Sequence, residues 1–117
     1  MGEGGAVSEL TSKALGRLSG DRLAVVDFWA PWCGPCKRLA PIYEQVALDM
    51  VSRFKGQVQF YKVNVDNESG LAETYGIMTI PTVIGFSGGK PLERFSGKTK
   101  EELAQWVEKL ALQVKLS

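Results

Sequence analysis

The chain holds two cysteines, Cys33 and Cys36, in the run Trp32-Cys33-Gly34-Pro35-Cys36, directly behind an apolar stretch over residues 23–30. A strand that runs into the start of a helix places the first thiol among free backbone N–H groups and partial positive charge. A thiol there ionises more easily, and the thiolate is the reactive species. Cys36 follows about one helical turn later and can close a disulfide with Cys33. The pair reads as a dithiol redox site.

Asp27 stands six residues before Cys33, inside the apolar run, and shares strand parity with Val25 and Trp29. Burial disfavours a carboxylate and raises its pKa. Its expected task is to take the proton of Cys36, directly or through water, when that thiol must attack. The competing reading is a strand-end aspartate that reaches solvent or bonds the backbone. Lys62 shares parity with Val58 and Phe60, and it reaches Asp27 if the two strands are neighbours. Otherwise it is a lysine whose stem lies on the surface and whose head stays in water.

Four further residues frame the cysteines. Pro35 suits the first turn of a helix, where its missing N–H costs nothing, and it stiffens the loop between the thiols. Trp29 is expected to pack in the core, whereas Trp32, in a turn after Pro31, is expected to be exposed in a docking surface. Pro81 precedes a strand in Ile80-Pro81-Thr82, and base rates favour a trans bond.

These residues need elements to position them. Leu10, Ala14, Leu15 and Leu18 have near-helical spacing over residues 10–18. Residues 23–30 have the nearly unbroken apolar character of a central strand. Over 33–54, Cys36, Leu39, Tyr43, Val46, Met50 and Phe54 form one helical stripe, with Pro41 expected to kink it. Lys55-Gly56-Gln57 ends that helix. A strand over 58–65 follows, then a short helix over 68–75 stopped by Gly76. Strands over 82–86 and 92–95 flank a turn at Ser87-Gly88-Gly89-Lys90. Thr99-Lys100-Glu101-Glu102 has the form of a capping box, and Leu103, Trp106, Val107, Leu110 and Val114 make the stripe of a last helix. Gly85, inside a strand, has no evident reason in the sequence.

The expected architecture is α/β: a central mixed sheet of four to five strands with about four helices on both faces, closing with an antiparallel hairpin and a helix. One domain over residues 1–117 is expected, with 1–6 as a flexible lead-in. The 117 residues carry a net charge of +1, so no nucleic-acid or membrane partner is implied. No apolar run approaches the roughly 18 residues of a membrane span. The N-terminus lacks the pattern of a secretory signal, and Ala6 stands where a myristoylation signal needs Ser or Thr. The expected location is cytoplasmic. Two cysteines and no histidine fall short of a structural zinc site, and neither a metal nor another cofactor is expected.

Asp27-Phe28-Trp29-Ala30-Pro31-Trp32-Cys33-Gly34-Pro35-Cys36-Lys37, followed by Pro41, Tyr75-Gly76-Ile77, Ile80-Pro81-Thr82 and Gly97, resembles the thioredoxin family over about residues 7–110. The resemblance implies a thioredoxin fold and reduction of protein disulfides. Cys33 would be the nucleophile, Cys36 the resolving thiol, and Asp27 the buried proton acceptor with Lys62 beside it. Pro81 would be a cis-proline facing the dithiol, which reverses the base-rate expectation. Trp32, Gly34, Pro35, Met78, Thr79, Ile80, Gly97 and Lys98 would form the docking surface, with Ile80 offering its backbone to an extended target. Met78, Thr79 and Lys98 depart from common family residues and bear on partner choice.

The implied partners are disulfide-containing proteins and a separate reductase, since the chain has no nucleotide fingerprint. A monomer is expected. Two other readings stay open at this point: a thioredoxin-like binding or scaffold subunit, and a disulfide oxidase or isomerase.

Overall fold

The computed structural model describes residues 5–116. Five strands, β1 (Val7–Glu9), β2 (Leu23–Trp29), β3 (Val58–Asn64), β4 (Thr82–Ser87) and β5 (Lys90–Arg94), form one sheet in the order β1-β3-β2-β4-β5. β1, β3 and β2 run parallel, whereas β4 is antiparallel to β2 and β5 to β4. The apolar run therefore occupies the centre. Leu23 through Phe28 are all buried, because both faces of β2 are covered.

Strand alternation divides the core in two. Leu23 and Val25 point to one face with Val58, Phe60 and Val83, where they meet Tyr43, Val46, Ala47 and Met50 of α2 (Gly34–Arg53) and Leu103, Val107 and Leu110 of α4 (Lys100–Gln113). Ala24, Val26 and Phe28 point to the other face, toward Leu18 of α1 (Arg17–Gly20) and Leu71 of α3 (Ser69–Thr74). The mixed sheet with helices on both faces agrees with the expected architecture. The expected capping box is present, with Thr99 accepting from the Glu102 backbone N–H at 3.1 Å.

Two local expectations need correction. Residues 10–18 are not one helix. A 3-10 turn at Ser12–Ala14 and the four-residue α1 replace it, with Gly16 between them. Leu15 and Gly16 keep right-handed helical angles, but the bonds here close tighter turns, as from the Leu15 N–H to the Ser12 carbonyl and from the Leu18 N–H to the Leu15 carbonyl. Leu10 and Leu18 are still buried, which explains the helix-like spacing. Secondly, β1 begins at Val7, within the reach of β3 but too short to show a period. Of the proposed lead-in, residues 1–4 lie outside the described residues, and residues 5 and 6 bend into β1.

Gly85 now has a reason. A Cβ built on it would come 2.5 Å from Leu110 Cδ1 and 3.4 Å from the Trp106 ring. Glycine lets α4 close on β4. The expected stop of α3 is present too: Gly76 has φ +64°, and the Ile77 N–H donates to the Ala72 carbonyl at 2.9 Å.

Candidate active site

β2 ends at Trp29, and the chain turns through Ala30-Pro31-Trp32 into α2. Cys33 is the N-cap of α2, in extended backbone at φ −88° and ψ 111°, and its Sγ accepts the Cys36 backbone N–H at 3.2 Å. A side chain at this position satisfies a free helix N–H, and here the acceptor is sulfur. Pro35 lies in the first turn, where it removes a donor the helix does not use. Cys33 and Cys36 are joined as a disulfide, with Cα atoms 5.2 Å apart. Opposite them, the Ile80 carbonyl oxygen lies 3.8 Å from Cys33 Sγ, and the Ile80–Pro81 bond is cis. The cis form follows the family resemblance and overturns the base-rate expectation of trans.

Asp27 lies beneath the dithiol on the α2 face of β2. It is 4% exposed, and its Oδ1 has no hydrogen-bond partner among the described residues. Burial pushes its pKa up to about 7, with the Lys62 ammonium acting in the opposite direction. β2 and β3 are neighbours and set Asp27 and Lys62 directly opposite each other in the parallel register, which meets the condition for Lys62 to reach Asp27. A small cleft of about 90 Å³ is lined by Asp27, Lys62, Trp29, Cys36, Lys37, Ala40, Tyr43 and neighbours. Cys36 opens onto it; Cys33 does not line it.

Trp29 corrects an expectation. It is half-buried rather than a core residue, because it ends β2 at the cleft, and the Lys62 Nζ lies 5.4 Å from its ring centroid. That contact sets the lysine ammonium over the indole face. Beneath the cleft, Tyr43 is fully buried, and its hydroxyl is 2.7 Å from the Tyr61 carbonyl oxygen and 3.0 Å from that of Val25. It ties α2 to both strands that carry Asp27 and Lys62.

The residues expected to form the docking surface fall into separate groups. Trp32 is 69% exposed, as expected, and its indole N–H donates to the Asp66 carboxylate at 3.1 Å. Met78 and Thr79 are exposed on the loop that leads to Ile80. Pro35, Pro81 and Lys98 line a groove together with Arg38, Leu39 and Ile42. Gly34 is exposed at the start of α2, while Gly97 is held by packing: a Cβ there would meet the Phe95 ring at 2.7 Å.

The thioredoxin family model matches residues 10–109. The chain belongs to the thioredoxin family. It is 40% identical to Thioredoxin M4, chloroplastic, of Arabidopsis thaliana over 82% of this chain and 48% of that one. It is 42% identical to a thioredoxin of Staphylococcus aureus over 73% of this chain and 79% of that one. Among solved structures, human ERp44 superposes with a TM-score of 0.85 at 25% identity, over 93% of this chain and 30% of ERp44. The chain thus spans about half of the Arabidopsis thioredoxin and under a third of ERp44. Dithiol–disulfide exchange through Cys33 and Cys36 is the chemistry of this oxidoreductase.

The cytoplasmic expectation does not stand. The matched ERp44 structures belong to a protein of the endoplasmic reticulum, and the Arabidopsis relative is chloroplastic by name. A missing N-terminal pattern carries no information against that, because this fold serves several compartments.

Sequence reading passed over Asp66, Tyr43 as a tie beneath Asp27, and the groove residues Arg38 and Ile42. Pro35, Arg38, Leu39 and Ile42 follow one another at helical spacing, so one side of α2 was in principle legible. Asp66 left no such signal, since its meeting with Trp32 spans 34 positions.

Proposed function

We propose that the protein reduces disulfides in other proteins, with Cys33 attacking and Cys36 resolving. The observation that carries this polarity is the cleft: Asp27 shares it with Cys36 and not with Cys33. A base placed there serves the second step.

The Cys33 thiolate attacks one sulfur of a target disulfide, forms a mixed disulfide, and expels the other target sulfur as a thiolate. The helix N-terminus and the Cys36 N–H stabilise the attacking anion before the step. Cys36 then gives its proton to the Asp27 carboxylate, directly or through water, and attacks Cys33 Sγ. The second target thiolate leaves, and the Cys33–Cys36 disulfide remains. A carboxylate with a pKa near 7 is matched to accepting and returning a proton at neutral pH. Lys62 limits how far burial raises that pKa. Ile80 and Pro81 present an edge against which an extended target segment pairs, and Trp32, Gly34, Pro35, Met78, Thr79 and Gly97 border it.

A separate reductase recharges the dithiol in this reading, and the chain works as a monomer. Catalytic amounts of protein should accelerate reduction of insulin by dithiothreitol, and no acceleration would remove the enzyme reading. The dithiol potential should be more reducing than that of glutathione; a more oxidising value favours an oxidase or isomerase instead.

A further inference from the structure

Two cations beside the dithiol have no task in the exchange chemistry. Arg38 and Lys98 line a groove of about 650 Å³ whose other lining residues are Pro35, Leu39, Ile42 and Pro81. No carboxylate of the described residues lines it. Neither cation forms a salt bridge with another described residue, although both are exposed.

Three acids of the surrounding elements have partners or places elsewhere. Glu102, at the start of α4, has its Oε1 held by the backbone N–H groups of Lys98 and Thr99 at 2.8 and 3.0 Å and by the Thr99 hydroxyl. These bonds turn it into the helix cap. Asp66 accepts from Trp32, and Glu44 lines the Asp27 cleft on another side of α2. The groove therefore has an apolar floor and a positive rim, in which the Lys98 charge also acts on Glu102 while Arg38 has no salt-bridge partner among the described residues. One wall is Pro81, whose preceding carbonyl lies 3.8 Å from Cys33 Sγ. A segment seated on that wall with its disulfide at Cys33 places its neighbouring residues in this groove.

We propose that this groove selects the target: it takes an extended segment with an aspartate or glutamate within about two residues of the attacked cysteine, paired by Arg38 and Lys98. The inference rests on the reductase reading above. Pro35, Leu39, Ile42 and Pro81 accept the apolar part of the same segment. The attacked bond and the electron balance are those of the exchange already described.

The test uses three disulfide-closed peptides of equal length that differ only in two residues flanking one cysteine: Glu, Gln or Lys. The reduced protein is mixed with each, and the second-order rate of its oxidation is followed by tryptophan fluorescence. At low ionic strength the Glu peptide should react about tenfold faster than the Lys peptide, since exposed pairs are individually weak. At about 1 M salt the ratio should fall toward unity, as screening shortens to about 3 Å. Joint Arg38→Glu and Lys98→Glu substitution should invert the order. Lys90→Gln, at the opposite end of β4 and β5, should leave the ratio as it is.

Equal rates for all three peptides with the native protein overturn the selection and leave the reductase reading intact. No reaction with any of them overturns the reductase reading itself. A preference that survives the charge reversal, or that disappears with Lys90→Gln, overturns the assignment to this groove. If the reversed variant does not fold, the native ratio and its salt dependence decide the matter.

Discussion

The two sides of the Cys33–Cys36 disulfide are built to opposite rules. Toward the interior, Asp27, Lys62, Trp29 and Tyr43 surround Cys36 in a cleft of about 90 Å³, where β2, β3 and α2 fix every position. Toward solvent, Trp32, Met78, Arg38 and Lys98 stand on turns, loops or an outer helix face, and they are exposed. Inside, burial strips water from the carboxylate and outweighs the pull of Lys62, so Asp27 acquires a pKa near 7. Outside, water screens each charge, and only several contacts together distinguish one partner from another. Chemistry needs the first environment and selection needs the second. Placing the disulfide at a helix N-terminus on the sheet's end sets it between the two, with Cys36 lining the inner cleft.

The sharpest division is expected between the cysteines themselves. Cys36→Ser should accumulate a stable mixed disulfide on Cys33, visible as a covalent adduct by mass spectrometry, whereas Cys33→Ser should form none. Adducts on Cys36 in the second variant would reverse the assigned polarity.

Asp27→Asn should slow the resolving step by about 100-fold, the lower range for loss of a general base. Stopped-flow decay of the mixed disulfide should rise through pH 7 in the native protein and lose that limb in the variant. An unchanged pH profile would take Asp27 out of the mechanism.

The same substitution should act on stability in the opposite sense. The folded oxidised protein holds the Asp27 proton to about pH 7, while the unfolded chain releases it near 3.8. Between those values the folded state binds more protons, so stability falls as pH rises, by about 4 kcal/mol at most. Urea titrations of Asp27→Asn should lack this decline, making the variant the more stable protein at pH 8.

Gly85→Ala probes the interior away from the chemistry. The added Cβ would meet Leu110 Cδ1 at 2.5 Å, and the expected cost is about 1–3 kcal/mol in a denaturant titration, with the dithiol potential unaltered. Met78→Ala tests the rim. Met78 is 89% exposed, so stability should change by less than about 0.5 kcal/mol while rates with protein targets fall. A large stability loss from Met78→Ala would blur the line between the two regions.

Much of the interior was legible before folding because its rules are periodic. Alternation in β2 placed Asp27 with Val25 and Trp29, and the same parity in β3 placed Lys62 with Phe60. The stripe in α2 put Cys36 in line with Tyr43 and Val46, all of them buried. The resemblance supplied the cis form of the Ile80–Pro81 bond, which local rules argue against. Periodicity also misled over residues 10–18, where two buried leucines imitate one helix but the chain forms a 3-10 turn and a four-residue helix.

By itself, then, the sequence determined the dithiol, its position between strand and helix, the face on which Asp27 lies, and the order of most elements. Each follows from chemistry within one segment or from a repeat along it. Tertiary structure alone decided that Asp27 opens to Cys36, that Trp32 leans on Asp66, that Gly85 makes room for Leu110, and that Arg38 and Lys98 line one groove. These are contacts between segments far apart in the chain. Their geometry exists only after the sheet order and the helix packing have brought those segments together.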